Sequence, residues 1–200
     1  VIDSWRWRQN SDSRWGQNSD LTSQESNVFL NVKHLHLVAQ AFTNDLDGLV
    51  KPVLSWTKDL ETLYLCANFS LAKSLYWGHV ESFSRTIRSL QSSGLRKIEL
   101  EKAVCPQTDL LSLLDRHKVT MRDLRLCIFG VVGSLEETMI WIRDHCSLTR
   151  RLSLRWVSEY DRDGHEVAWV GDNEFPSDLS RLDELLEQRR KRQAELEAED

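Results

Sequence analysis

The clearest pattern along the chain is a six-residue arrangement of apolar positions, L-x-x-L-x-L, which occurs five times with few substitutions. Its last two apolar positions are separated by one residue, and this alternation is typical of a β-strand with one buried face. The middle apolar positions of successive segments lie 28, 35, 26 and 28 residues apart. We therefore predict five strands at comparable intervals. The segments are Val32-x-x-Leu35-x-Leu37, Leu60-x-x-Leu63-x-Leu65, Leu95-x-x-Ile98-x-Leu100, Met121-x-x-Leu124-x-Leu126 and Thr149-x-x-Leu152-x-Leu154.

Between these segments the apolar spacing changes to about 3.6 residues, which indicates amphipathic helices. Ser134 and Glu137 have the spacing of a capping box, which predicts a helix start at that point. Pro52 interrupts another helical stretch, where it either kinks the helix or begins a shorter one. We predict helices over 45–58, 76–90, 107–117 and 135–145.

The alternation of strands and helices predicts an α/β fold. Strands that are each followed by a helix pair in parallel and are covered by the helices on one face. A single strand–helix unit cannot bury its own apolar face, so neighbouring units must stack. We predict a solenoid of about five such units over residues 28–172.

The residues that alternate with the leucines define the open face of the predicted sheet. With the leucines aligned, neighbouring strands place Lys97 beside Asp123, Asp123 beside Arg151, and Glu99 beside Arg125, so each neighbouring pair has opposite charge. We predict that this polar face binds a protein partner. Its rows are His34, Thr62, Lys97, Asp123 and Arg151; His36, Tyr64, Glu99, Arg125 and Ser153; and Val38, Cys66, Glu101, Cys127 and Arg155. The predicted contact residues are Tyr64, Lys97, Glu99, Asp123, Arg125 and Arg151.

Both ends of the chain have a different composition. Residues 1–27 contain the near-duplicates "RWRQNSD" and "RWGQNSD", and their polar content predicts a flexible segment. The alternative is a short ligand, or a segment that folds its tryptophans onto the first unit. Asp163-Gly164 between β-prone runs predicts a hairpin over 160–170. A charged helix is predicted within 173–200, and its basic run at 189–192 is either a solvated face or an import or nucleic-acid signal.

Composition limits the classes of partner. A formal net charge of −5 over 200 residues argues against a broad nucleic-acid interface. No apolar run is long enough for a membrane span. From the charge and from this absence, neither nucleic acid nor membrane is expected as a partner. The 4 cysteines lack a scaffold spacing and indicate reduced thiols in the cytoplasm or nucleus. The chain begins with Val1, which leaves open that it is a fragment of a longer protein.

Motifs for catalysis, metal binding or cofactor binding are weak. His34-x-His36 offers two imidazoles without a third ligand, and Asp161-x-Asp163-Gly164 lacks the later glutamate of a calcium loop. The glycine-rich turn 130–134 lacks the lysine of a P-loop. His117 and His145 each end a predicted helix, where a histidine bonds the last free carbonyl groups. We predict no catalytic residue, no metal and no cofactor.

Three stretches resemble a known family. "LETLYLCANF" matches the leucine-rich-repeat consensus L-x-x-L-x-L-x-x-N, with Asn68 at the asparagine position. "LLSLLDRHKVTMRDLRL" and "RLSLRWVSEYDRDGHEVAWVGD" resemble the divergent leucine-rich regions of filamentous-fungal F-box-type proteins, and the resemblance covers about residues 28–172. The other four segments depart from the consensus, with Gln40, Ala103, Phe129 and Val157 at the asparagine position.

The resemblance implies an α/β leucine-rich-repeat-like solenoid without catalytic activity. In such proteins the repeats present a protein substrate and the ligase complex supplies the chemistry, so the chain is expected to be the substrate-binding region of an F-box-type ubiquitin-ligase receptor. No F-box is visible before residue 28, so a ligase adaptor would bind through an F-box upstream. The alternatives are a general scaffold with no ubiquitin link, or a hydrolase whose site is assembled across strands.

Overall fold

A computed structural model describes residues 4–8, 31–38, 53–67, 77–146, 150–171, 173–176 and 181–199. The predicted α/β fold, with a mostly parallel sheet backed by helices, is confirmed. The helices are α1 Trp77–Arg88, α2 Gln107–His117, α3 Leu135–His145 and α4 Arg181–Glu199. The strands are β1 Ser4–Arg8, β2 His34–Val38, β3 Thr62–Cys66, β4 Lys97–Pro106, β5 Asp123–Val132, β6 Arg151–Tyr160, β7 Glu166–Val170 and β8 Asn173–Pro176.

Within the described residues the sheet has eight strands, and the first six run parallel in chain order. Strands β7 and β8 both pair antiparallel with β6, β7 along its second half and β8 along its first. The predicted register is confirmed, because the middle apolar positions of the five segments are direct neighbours across β2 to β6. All five are buried, at 1% exposure or less: Leu35, Leu63, Ile98, Leu124 and Leu152.

The helices cover the apolar side of the sheet and form one core with it. Phe83 of α1, Leu114 of α2 and Met139 of α3 are fully buried in the same cluster as the strand leucines. Each buried side chain of this size contributes roughly 1.5–3 kcal/mol relative to an exposed one. The first turns of α4 add Leu182 and Leu186 to the cluster.

Side-chain hydrogen bonds fix the helices against one another. Arg116 of α2 donates to the backbone oxygens of Leu90 (2.5 Å) and Ile87 (3.1 Å). These carbonyl groups lie at the carboxyl end of α1, where the helix itself supplies no donors. Arg88 donates to Asp109 with bonds of 2.7 and 2.8 Å, which ties the end of α1 to the first turn of α2.

Three adjacent strands share one backbone irregularity, which we name the kink row: Lys102, Ile128 and Trp156. Their φ angles are 49°, 50° and 54°, in the left-handed region that side chains rarely adopt. Each of the three, and the residue before it, is at least partly exposed, so the alternation of buried positions resumes one residue late. Because of this shift, the residues after the kink row, at the consensus asparagine position, are fully buried: Ala103, Phe129 and Val157.

The remaining predictions have mixed outcomes. The helices predicted over 76–90, 107–117 and 135–145 and the hairpin over 160–170 are confirmed. Ser4–Arg8, included in the predicted flexible segment, instead pairs with β2, while 9–30 lie outside the described residues. The last helix begins at Arg181, and Asn173–Pro176 form a strand instead. Of the stretch predicted as helix over 45–58, the described part is helical at 53–56.

Gly130 and Gly94 form a matched pair for testing how tightly the sheet is packed. A Cβ on Gly130 would lie 2.7 Å from Tyr160 Cε2 and 2.8 Å from Val104 Cγ2, whereas one on Gly94 meets nothing within 4 Å. We predict that Gly130→Ala lowers the free energy of unfolding by about 1–3 kcal/mol because it overpacks the sheet. Gly94→Ala should be neutral or stabilising by up to about 1 kcal/mol. Urea denaturation measures both, and equal effects would contradict this packing.

Candidate functional site

The sheet brings all six predicted contact residues together on its open face, opposite the helices. Lys97, Asp123 and Arg151 are register neighbours on β4, β5 and β6. Tyr64, Glu99 and Arg125 form the next row along the strands. Arg151 is exposed and the other five are half-buried. Their placement agrees with the sequence analysis, and their role in binding stays a prediction.

The ion pairs on the open face run along strands. Lys97 Nζ lies 3.1 Å from Glu99 Oε2, and Arg125 Nε lies 3.3 Å from Asp123 Oδ1. Register neighbours Lys97 and Asp123, or Glu99 and Arg125, do not form an ion pair in the described part of the chain. The side chains are partly solvated, so each pair contributes about 0–1 kcal/mol. A partner can therefore exchange these pairs for its own charges at low cost.

Tyr64 is the most constrained side chain of the face. Its hydroxyl donates to Glu101 Oε2 at 2.5 Å, and its ring meets the ring of His36 edge-on with centroids 4.0 Å apart. Burial and the Glu101 carboxylate raise the pKa of Tyr64 well above its usual range. Tyr64 is thus a neutral hydrogen-bond donor held in one orientation. Glu101, which was placed on the face but not among the contact residues, is what holds it.

Sequence reasoning missed Trp156 as a surface residue. Leu152, Leu154 and Trp156 alternate, which predicts that Trp156 points into the core. The kink row reverses that direction, and Trp156 is 51% exposed, next to the exposed Arg155. An exposed tryptophan beside arginines is typical of the residues that contribute most to protein interfaces. The apolar alternation along β6 gives no sign of this outward turn.

The two histidines that end helices differ in their surroundings. His145 lies at the end of α3, where its Nδ1 is 2.9 Å from the backbone oxygen of Trp141 and its ring stacks on the Trp141 ring. His145 therefore lies against a helix carbonyl, although Trp141 precedes the last four residues whose carbonyl groups were predicted to be bonded, and the same prediction is wrong for His117. His117 is fully buried, and neither ring nitrogen has a hydrogen-bond partner among the described residues. Burial and then Arg116 lower the pKa of His117 to about 4.

Side chains already accept hydrogen bonds from three backbone nitrogens at the start of α3, which disfavours anion binding there. Ser134 Oγ accepts from the backbone nitrogen of Glu137 at 3.1 Å, which is half of the predicted capping box. Glu159 accepts from the backbone nitrogen of Leu135, and Gln107 from that of Ser134, both at 3.1 Å. The predicted connector turn therefore agrees with the structure.

The hairpin turn holds a group of possible metal ligands within the described residues. Ligand atoms of Asp161, Asp163 and His165 lie within 4.8 Å of one another. Asp161 Oδ1 already accepts from the backbone nitrogens of Asp163 and His165, both at 2.9 Å. These bonds lower the pKa of Asp161 and close the turn, so the arrangement is explained by the hairpin itself.

No helix in the described ranges is long and apolar enough to cross a membrane. Comparison with protein-family models finds no match, and comparisons with curated proteins and with solved structures find none either.

Buried His117 predicts a pH-dependent stability. Its folded pKa of about 4 lies below its ordinary value of 6.5, so the unfolded chain binds the proton more tightly. The contribution of neutral His117 to the free energy of unfolding is fully present above pH 6.5 and is lost as the pH falls toward 4. The loss is at most about 1.4 kcal/mol per pH unit. We expect His117→Leu to flatten this slope in urea titrations at several pH values. Equal slopes for both proteins would contradict the burial of a neutral imidazole.

Asp109 provides an internal comparison for His117, because its effect on stability is lost over a lower pH range. Burial raises the pKa of the Asp109 carboxyl, but hydrogen bonds from Arg88 and Ser84 outweigh this and lower the pKa below its usual 3.8. Its stabilising contribution is present above pH 3.8 and is lost as the pH falls through the lowered value. The loss of stability at low pH that is caused by protonation of Asp109 should therefore persist in His117→Leu.

Proposed function

We propose that this chain is a non-catalytic protein-recognition domain that binds its partner on the open face of the sheet. The observation that carries the proposal is the register of β2 to β6, which gathers mixed charges on one rigid surface and adds exposed Trp156 at its β6 side. A sheet held by parallel pairing and a continuous core presents such a surface with little loss of conformational entropy on binding.

We also propose that the strand–helix units form an irregular leucine-rich-repeat-like solenoid. Support comes from the L-x-x-L-x-L segments, whose equivalent positions are register neighbours, and from the side-by-side contacts of α1 with α2 and of α2 with α3. Ala103, Phe129 and Val157 are buried at the consensus asparagine position. In this proposal apolar packing replaces the asparagine ladder of regular repeats.

Two of the four cysteines, Cys105 and Cys146, are poorly suited to act as nucleophiles, which supports a non-catalytic role. Burial raises the pKa of the Cys146 thiol to about 11 and raises that of Cys105 further still. A thiol with a raised pKa is a poor nucleophile at neutral pH, because the thiolate is the reactive form. Both side chains are fully buried members of the core.

The partner is proposed to be a protein substrate of a ubiquitin ligase, with the chain acting as the substrate-binding region of an F-box-type receptor. This step depends on the sequence resemblance. The open face is compatible with it, since binding a substrate needs a recognition surface and no chemistry within the domain. A general scaffold without a ubiquitin link would use the same face.

Binding by the open face is tested with paired variants. Arg125→Ala and Trp156→Ala change the face, whereas Arg85→Ala changes an arginine on α1 that pairs with Glu81, 2.9 Å away. Proteins retained from an extract of the source organism are quantified for each variant, and one retained protein is then purified for titration. We expect the two face variants to weaken its binding about tenfold or more, as for interface anchors, and Arg85→Ala to leave it unchanged.

The thermal midpoint of each variant must be measured alongside, because a lost fold would also abolish binding. Arg125 and Trp156 are partly or largely exposed, so we expect each face variant to unfold within a few degrees of the unmodified protein. Equal binding by all variants would contradict recognition by the open face.

The ligase role has a separate test. The full-length gene product is mixed with the purified ligase adaptor, and complex formation is measured by size-exclusion chromatography. The proposal predicts a complex that requires an F-box encoded upstream of Val1 and is lost when that F-box is deleted. If the full-length protein does not bind the adaptor, the ligase role is wrong and the scaffold alternative gains support, whatever the outcome of the open-face variants.

A further inference from the structure

A row of basic residues lies at the amino-terminal edge of the parallel sheet. Arg96, Arg122 and Arg150 each immediately precede a strand, β4, β5 and β6 respectively, and we name them the arginine row. Backbone hydrogen bonds hold them in lateral register: the nitrogen of Arg122 donates to the oxygen of Arg96 at 2.7 Å, and that of Arg150 to Arg122 at 2.8 Å. Neighbouring strands lie about 4.8 Å apart, so three arginine side chains leave the backbone at that interval.

The arginine row lies on the helix side of the sheet, beyond the end of the core. Each arginine is two residues before a buried anchor, Ile98, Leu124 or Leu152, and residues two apart in an extended segment point to the same side. The row is therefore separate from the open face. Any ligand of the arginine row would therefore bind independently of a protein partner on the open face.

An open cavity of about 400 Å³ lies against the arginine row. Val119 and Thr120, in the turn between α2 and β5, complete its lining. Thr120 Oγ1 donates to the backbone oxygen of Leu95 at 2.8 Å, which fixes this turn against the start of β4. The cavity size is that of a small-molecule site.

Cations outnumber carboxylates among the residues that directly precede β2 to β6. Glu61 and Lys33 occupy the same lateral row before β3 and β2, and Glu61 lies 3.1 Å from Lys33 and 3.9 Å from Arg96. The only carboxylate among these five described row positions is thus shared between two cations at one end. Four cations and one carboxylate give the row a formal charge of +3, in a chain whose net charge is −5.

We propose that the arginine row binds an oxyanion that carries two or more linked phosphoryl groups. The planar guanidinium group donates two parallel hydrogen bonds to phosphoryl oxygens and keeps its charge at all physiological pH values. One tetrahedral oxyanion can bridge two neighbouring arginines, and two linked phosphoryl groups can reach all three. Such a ligand would also reduce the repulsion among like charges held side by side.

The test uses inorganic pyrophosphate, with orthophosphate and sulfate at the same ionic strength as comparisons. Isothermal titration calorimetry measures the affinity of the full chain at pH 7.5 for each anion. Arg96→Gln/Arg150→Gln removes the two outer charges of the row, and Arg85→Gln removes one arginine from the outer side of α1. We expect pyrophosphate to bind more tightly than the other two anions, and the double variant to weaken this binding about tenfold or more, with Arg85→Gln unchanged.

The expected result has a second readout that also checks the fold. Pyrophosphate should raise the thermal midpoint of the unmodified protein and of Arg85→Gln, and should leave that of the double variant nearly unchanged. Without ligand, all three proteins should unfold at similar temperatures, because Arg96 and Arg150 are exposed. Equal affinity for pyrophosphate and sulfate, or an undiminished affinity in a folded double variant, would overturn the proposal.

Discussion

The parallel register of β2 to β6 is the constraint on which the rest of the structure depends. A strand shifted by one residue would turn its leucines to solvent and its charges into the core, so burial of one face selects a single register. The edge of the sheet reinforces this choice, since the backbone oxygens of Lys33, Glu61, Arg96 and Arg122 each accept two N–H groups from the next strand. One pairing therefore positions both the open face and the arginine row.

The kink row is the second organising feature. A left-handed backbone at a residue other than glycine costs about 1–3 kcal/mol and persists only where the surroundings enforce it. At Ile128, a β-branched residue, the φ of 50° is especially unfavourable. The compensation is visible in the next residues, where Phe129 packs edge-on against Phe83 with ring centroids 6.2 Å apart. The same geometry turns Trp156 outward, so packing of the core and composition of the open face are coupled.

The fold was predictable where the sequence repeats one pattern in several places. Leucine spacing predicted the parallel register, and helical spacing predicted α1, α2 and α3. The strand at Ser4–Arg8 was missed although Trp5 and Trp7 alternate with polar residues there, because the polar composition of residues 1–27 as a whole indicated a flexible segment. Trp156 was missed because the alternation rule for strands assumes that successive side chains point to opposite faces and does not allow for an extra outward residue. The arginine row was missed because its residues, at the second position of three segments, precede the strands and lie outside the rows of residues that alternate with the leucines.

The most direct measurement is the pattern of nuclear Overhauser effects between isoleucine and leucine methyl groups in a selectively labelled sample. Strands about 4.8 Å apart place the methyl groups of neighbouring anchors within reach of this effect. The account predicts contacts from Leu35 to Leu63, from Leu63 to Ile98, from Ile98 to Leu124 and from Leu124 to Leu152. Strong contacts between anchors two strands apart, or missing contacts between folded neighbours, would contradict the register and with it the proposed binding face.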